Sequence, residues 1–168
     1  ADVRGAGTDV IKIHGVDIMH GANYSIIPDQ IEAGTYMIAA AATGGDVLIK
    51  NVIPKHLEAI TNKLVKCGAD VDEFDDSIRV RREKPIEPTT IKTMPHPGFP
   101  TDMQPQIPAM LTMAANGGPS VVTEGVWANR FRYVDELRRL GASVQVDGNV
   151  AVAHGVAPFT VAPLQAPS

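Results

Sequence analysis

The stretch GGDVLIKNV, Gly44 to Val52, has a counterpart in GGPSVVTEGV, Gly117 to Val126, and this pairing decides how the chain is organised. Gly44 and Gly117 stand 73 positions apart. Leu64 of LVKCGADV (Leu64 to Val71) and Leu137 of LRRLGASV (Leu137 to Val144) share that spacing. With a one-residue slip, DSIRV (Asp76 to Val80) also matches GNVAV (Gly148 to Val152). Self-similarity at a fixed period marks a chain that repeats one supersecondary unit, and here there are two copies.

Outward from that stretch the two copies read alike. Upstream, residues 30–42 turn Ile31, Gly34, Met37, Ile38 and Ala41 to one helical face, and residues 103–115 do the same with Met103, Ile107, Met110, Leu111 and Ala114. A Gly-Gly break closes each helix, as C-terminal glycines do. Val47-Leu48-Ile49 and Val121-Val122-Thr123 then read as short strands. Downstream, Leu57, Ile60 and Leu64 form the stripe of a second helix, matched by Phe131, Val134, Leu137 and Leu140, with Gly68 and Gly141 as stops. A hairpin closes each unit, clearest at VQVDGNVAV, where Asp147-Gly148 signals a tight turn. With an earlier strand feeding in, the unit is βαβαββ and the fold class is α/β. Amphipathic helices need a shared core, so helices are expected inside and sheets outside. Two units leave an apolar edge uncovered, so the domain is expected to be incomplete.

At 168 residues, 44% hydrophobic and 20% charged, the composition is that of one globular domain or part of a larger protein. A net charge of −4 offers nucleic acid no electrostatic attraction, and Arg79-Val80-Arg81-Arg82 and Arg138-Arg139 read as solvated faces. The single cysteine, Cys67, excludes an internal disulfide framework and points to a reducing compartment. No secretory segment and no apolar run near about 18 residues is present, so a soluble, cytoplasmic protein with no membrane partner is expected. His14, His20, His56, His96, His154 and Cys67 show no metal-ligand spacing. No phosphate-binding glycine loop with a lysine and no Gly-x-Ser-x-Gly elbow occurs. Neither a metal nor a cofactor is expected.

Two segments carry candidate chemistry. In PGFPTDMQPQ, Pro97 to Gln106, Thr101 and Gln104 match a capping box, which puts Asp102 at the first helical position on a mount stiffened by Pro97 and Pro100. The 73-residue period sets Asp102 on Asp29 of IIPDQIEAG, and a repeated aspartate at a helix start is what capping alone would produce. From the residues alone, capping is the stronger reading and catalysis stays open. In WANRFRYVDEL, Arg130 falls at a strand-to-helix junction where a guanidinium could meet a carboxylate or phosphate, or simply lie on the surface. Trp127 reads equally as a stacking surface or a core anchor.

IPDQIEAGTYMIAAAATGGDVLIKNV, IKTMPHPGFPTDMQPQ and NRFRYVDELRRLGA closely resemble the bacterial UDP-N-acetylglucosamine enolpyruvyl transferases, also called UDP-N-acetylglucosamine 1-carboxyvinyltransferases. The resemblance runs through nearly the whole chain. It implies transfer of the enolpyruvyl group of phosphoenolpyruvate to the 3-hydroxyl of UDP-N-acetylglucosamine, the first committed step of peptidoglycan synthesis. It also implies an inside-out α/β barrel, with residues 1–27 ending a neighbouring domain and crossing over. Residues 28–168 would then supply two repeat units, about 28–82 and 97–155, of the second domain.

By the same resemblance Asp102 is the acid/base carboxylate near the sugar hydroxyl. The Val126 backbone contacts the UDP-sugar, and Trp127 stands beside the sugar where the family more often has phenylalanine. Arg130 lies in the cleft near the anionic substrate, and Asp29 matches a crossover aspartate. Gln30 in place of arginine and Ala128 in place of glutamate put a local ion pair in doubt, not the reaction class. Dense negative charge on phosphoenolpyruvate calls for several cationic groups. The lysine, loop cysteine and arginines that the family places elsewhere are absent, and Cys67 is not that loop cysteine. The chain is expected to be about two-fifths of an enzyme, inactive without the remainder or another copy. The alternatives are a 3-phosphoshikimate 1-carboxyvinyltransferase and a non-catalytic sugar-nucleotide-binding module.

Overall fold

The computed structural model describes residues 1–114, 118–155 and 159–165. A small hairpin comes first, β1 (Asp2–Arg4) antiparallel to β2 (Lys12–His14), and every residue from 1 to 29 is exposed. Order of another kind starts at Asp29, whose Oδ1 accepts from the Ile31 N–H at 2.7 Å and caps helix α1 (Gln30–Thr43). The small residues Ala33, Gly34, Ala40 and Ala41 are buried with Met37 and Ile38 on its inner face. Gly44 ends the helix at φ 67°, a left-handed conformation that glycine adopts without a Cβ clash. Arg82 donates to the Ala41 and Ala42 carbonyls at that end, a cation on the electronegative terminus.

Strand β3 (Asp46–Lys50), helix α2 (Pro54–Lys66) and strands β4 (Asp70–Glu73) and β5 (Ser77–Arg81) follow, with Pro54 at a helix start that needs no N–H. The three strands form one antiparallel sheet in the order β3-β5-β4. Along β5, Ile78 and Val80 are buried while Arg79 is exposed, the alternation a half-buried strand requires. Arg79 holds the Asp46 carboxylate with two bonds, Nε at 2.7 Å and Nη2 at 2.6 Å, across the outer face.

The second sheet has the order β6-β7-β9-β8, from β6 (Thr90–Lys92), β7 (Ser120–Thr123), β8 (Ser143–Asp147) and β9 (Val150–His154). β6 and β7 run parallel and the other pairs antiparallel. Between β6 and β7 lie a 3₁₀ turn (Thr101–Met103) and helix α3 (Gln106–Leu111); between β7 and β8 lies α4 (Val134–Arg139). The order β7-β9-β8 therefore matches β3-β5-β4, and β6 is an added leading strand. Among the described residues the first unit has no such strand, since β1 and β2 pair with each other. The expectation of βαβαββ in both copies needs that correction.

The helix expected over 103–115 is also corrected. Pro105 has no N–H to give the Thr101 carbonyl, so an α-turn closed on Thr101 cannot form. The chain makes a 3₁₀ turn instead and restarts at Gln106, with Pro108 in the first turn, where its missing donor costs nothing. Ala115 and Gly117 lie outside the described residues. Phe131, expected within the second unit's other helix, precedes α4 and is buried all the same.

One hydrophobic cluster runs from Ile78 and Val80 of the first sheet through α1, α2, Met103 and α3 to Ile91 and Val122 of the second sheet. Helix α1 touches β3, β5, α2 and α3, while α3 touches β7 and β9. A smaller cluster gathers Phe131, Val134, Ala142, Val144, Ala151 and Ala153. No helix among the described residues is long and apolar enough to cross a membrane.

Two substitutions separate capping from core packing. Asp29→Ala is expected to cost about 1 kcal/mol, the usual worth of an N-cap. Met103→Ala, which empties a fully buried site, is expected to cost about 2–5 kcal/mol. Urea unfolding of each variant against the parent measures both.

Candidate active site

The segment from Met94 to Asp102 bends around the starts of α1 and α2, passing through a cis His96–Pro97 bond, and walls an open cavity of about 690 Å3. Asp102 and Val126 line this cavity, with Gln30, Lys55, Lys63 and Lys92 among the other wall residues. Burial of Lys63, and then the neighbouring Lys66 charge, lower its pKa from the ordinary lysine value; its Nζ donates to the Thr90 carbonyl at 2.8 Å.

The Asp102 side chain is 59% exposed, and its Oδ1 accepts from Arg130 Nη1 at 2.9 Å. The same Nη1 donates to Thr101 Oγ1, also at 2.9 Å. Thr101 Oγ1 is in turn 3.0 Å from both carboxylate oxygens of Glu124. Carboxylates only accept and a hydroxyl has a single proton, so Thr101 donates to Glu124 and accepts from Arg130. Among the described residues Asp102 Oδ2 takes no hydrogen bond, which leaves one oxygen of an anchored carboxylate without a protein partner on a residue that lines the cavity.

Glu124 is 2% exposed and directly follows β7, the strand that Val122 anchors in the core. Its Oε1 accepts from the N–H groups of Val126 at 2.9 Å and Trp127 at 3.1 Å. Burial alone would raise its pKa. Bonds from the Val126 N–H, the Trp127 N–H and the Thr101 hydroxyl, with the Thr93 hydroxyl nearby, outweigh that and hold it below the ordinary value of 4.5. The Glu124 backbone is fastened too, its N–H to the Asn149 carbonyl at 2.8 Å and its carbonyl to Asn149 Nδ2 at 3.1 Å. Gly125 donates to Thr93 Oγ1 at 2.8 Å, and a Cβ there would stand 2.4 Å from the Thr93 carbonyl oxygen.

Of the expected site residues, Asp102, Arg130, Val126 and Trp127 are therefore joined through one hydrogen-bonded group. Arg130 is not a free surface arginine: its side chain is 33% exposed and bonded at both Thr101 and Asp102. Trp127, 62% exposed, is not a core anchor. Asp29 is outside this hydrogen-bonded group: it caps α1 and lines one recess with Glu32 and Tyr36 and another with Gln30, His56 and His96, which also wall the main cavity. The capping box does not form. Thr101 is committed to Glu124 and Arg130, and the buried Gln104 amide has no partner among the described residues. Cys67 is buried, and that burial raises its thiol to about 11, too high to supply a thiolate near neutrality. Burial, and then the Glu124 charge, likewise raise the Tyr133 hydroxyl. Among the described residues no group of three or more His, Cys, Asp or Glu could hold a metal ion. The sequence reading missed Glu124 and its support Thr93. The one available signal was a lone acid closing the apolar run SVVTEG.

The family model described as EPSP synthase (3-phosphoshikimate 1-carboxyvinyltransferase) matches residues 1–167. UDP-N-acetylglucosamine 1-carboxyvinyltransferase 3 of Caldanaerobacter subterraneus subsp. tengcongensis is 57% identical over 166 residues, covering 99% of this chain and 39% of the relative. UDP-N-acetylglucosamine 1-carboxyvinyltransferase of Desulfofundulus thermocisternus is 55% identical over 157 residues, covering 93% of this chain and 64% of the relative. The crystal structure of the enolpyruvyl transferase NikO from Streptomyces tendae superposes with a TM-score of 0.68 at 27% identity, over 77% of this chain and 31% of that one. EPSP synthase from Acinetobacter baumannii shares the fold, with a TM-score of 0.60 at 16% identity over 77% of this chain and 29% of that one. The chain spans 39% of the length of the Caldanaerobacter relative, well short of the whole.

Glu124 also sets an acid limit on this loop. A carboxylate with a depressed folded-state pKa adds stability above its unfolded value, and loses it as pH falls through the folded one. Glu124→Gln should lower the melting temperature at pH 7, and the gap to the parent should narrow as pH drops below 4.5. Melting curves from neutral to acid pH check this; a constant gap would mean that the loop does not use the charge.

Proposed function

The chain belongs to the EPSP synthase (3-phosphoshikimate 1-carboxyvinyltransferase) family, and on that premise we propose that the protein carrying it transfers the enolpyruvyl group of phosphoenolpyruvate to the 3-hydroxyl of UDP-N-acetylglucosamine. The acceptor follows the relatives named for it, at 57% and 55% identity. The observation that carries the chemistry is Asp102, held at one oxygen by Arg130 and open at the other on the cavity wall.

Addition of a hydroxyl to an enol phosphate forms a bond from the sugar oxygen to the substituted carbon, protonates the methylene and releases the hydroxyl proton. Elimination then breaks the carbon–phosphate oxygen bond, removes a methyl proton and restores the double bond. Asp102, through its open oxygen, accepts the hydroxyl proton as the new bond forms. Arg130 keeps the carboxylate aimed and places a cation next to the anionic donor. Val126 and Trp127, on the loop that Glu124 shapes, bound the sugar side, and Asp29 at the start of α1 contributes from the crossover.

The same reading extends to the architecture. The contacts running from one sheet through α1 and α3 to the other support an inside-out barrel with helices within. Residues 1–27 are assigned to the end of the neighbouring domain, and 28–82 and 97–155 to two repeat units. Turnover then needs the remainder of the longer protein, or another copy, to supply the other wall of the cleft. Its setting is peptidoglycan synthesis in the cytoplasm, without a metal, cofactor, nucleic acid or membrane.

The deciding assay is phosphate release from phosphoenolpyruvate by the full-length protein, with UDP-N-acetylglucosamine or 3-phosphoshikimate as acceptor. Release with the sugar nucleotide alone is expected; release only with the shikimate would reassign the acceptor, and turnover by the 168-residue chain alone would refute the need for a second wall. Asp102→Ala should lower kcat by about 10²–10⁴-fold. Because Asp102 caps nothing, its stability should change by no more than about 0.5 kcal/mol. Equal losses in activity and melting temperature would return Asp102 to a structural role.

A further inference from the structure

We infer that Glu124 is a positioning residue for this reaction, working through two separate limbs from one buried carboxylate. One limb runs through the Thr101 hydroxyl to Arg130 and so to Asp102; the other runs through the N–H groups of Val126 and Trp127 to the sugar-side loop. The inference deepens the proposed function and rests on it.

The argument starts with donor and acceptor supply. Glu124 accepts only, so it takes the one proton of Thr101, and the Thr101 oxygen is left able only to accept. That polarity draws Arg130 Nη1 to a point 2.9 Å from Thr101 Oγ1 and 2.9 Å from Asp102 Oδ1. The buried carboxylate thus fixes where Arg130 stands, and Arg130 decides which Asp102 oxygen is occupied. On the other limb, two successive N–H groups converge on Glu124 Oε1 at 2.9 and 3.1 Å, which sets the backbone of Val126 and the direction in which Trp127 leaves the loop. The carboxylate itself is too deeply buried to meet substrate. A site holds its working geometry only when a supporting layer of this kind locks it.

Three variants of the full-length protein separate the limbs. Glu124→Gln keeps an oxygen for the two N–H groups and removes the charge that holds the Thr101 proton, weakening the Arg130 limb while leaving the loop limb in place. Thr101→Val cuts the same limb from its other end. Glu124→Ala removes both. With Gln and Val, kcat should fall about 10–100-fold, the range seen when outer partners of functional groups are lost. The KM for UDP-N-acetylglucosamine should stay within about twofold, and the Val126 and Trp127 amides should remain protected from hydrogen exchange. With Ala, protection at both amides should be lost and KM should rise as well. In an Asp102→Asn background Glu124→Gln should add less than about a twofold further loss, since groups acting as a unit are non-additive.

Unchanged amide protection in Glu124→Ala, unchanged kcat in Thr101→Val, or losses that simply multiply with Asp102→Asn would each overturn the inference. If Glu124→Ala does not fold, Glu124→Gln and Thr101→Val still decide the Arg130 limb. If the parent shows no enolpyruvyl transfer, the proposed reaction fails, while amide protection at Val126 and Trp127 still decides whether Glu124 builds the loop.

Discussion

At Gly34 helix α1 comes so close to its neighbours that a Cβ would stand 2.6 Å from Ile60 Cδ1 of α2 and 3.0 Å from Met103 Cε of the 3₁₀ turn. Any larger residue would have to displace the ends of the Ile60 and Met103 side chains that fill that space. The contact ties the first unit to the second, because Met103 belongs to the turn that opens α3 while Ile60 and Gly34 belong to the first unit's helices. It also orients chemistry. Successive residues of a 3₁₀ turn leave the axis about 120° apart, so a Met103 driven fully inward turns Asp102 outward to the cavity. The core and the candidate site are thus adjacent steps of one turn, and neither can be rebuilt without moving the other.

The second constraint is the burial of Glu124. An unpaired carboxylate so deep would be protonated or expelled, because desolvation penalises the charge. It stays ionised because the chain surrounds it with donors from two places, the turn before α3 and the loop it begins. That arrangement joins segments distant in sequence, Thr93, Thr101 and Val126, into one polar centre beside the hydrophobic core. Thr93 illustrates the economy of the packing. It is fully buried, its hydroxyl oxygen accepts from Gly125, and its carbonyl oxygen leaves no room for a Cβ at that glycine.

Much of the framework was legible in the sequence. Periodicity located α1 within a residue, Gly44 marked its end, and Asp147-Gly148 marked the turn between β8 and β9. These are local signals, set by residues a turn or a strand apart. The helix expected over 103–115 starts late, at Gln106, because Pro105 has no N–H with which to close an α-turn on Thr101. The capping box failed because Thr101 has better partners than its own backbone, and those partners, Glu124 and Arg130, lie 23 and 29 positions away. Glu124 itself was illegible for the same reason. A glutamate after a β-branched run reads as the solvated end of a strand, and only tertiary packing reveals that it is buried.

Asp29 and Asp102 show how one repeated position can serve two ends. Both precede a helical segment, yet only Asp29 caps. Helix α1 is α-helical from its first residue, so its leading N–H groups need an outside acceptor, and Asp29 supplies one. The second unit opens as a 3₁₀ turn, in which Met103 N–H bonds the Pro100 carbonyl at 3.1 Å and Gln104 N–H the Thr101 carbonyl at 3.0 Å. Pro105, next in line, has no N–H to satisfy. Asp102 lies inside that turn, whose N-cap position is Pro100, so its carboxylate is not in the capping place and meets Arg130 instead. The change from capping to site residue therefore follows from where each aspartate falls relative to its helical turn, not from any change in the aspartate.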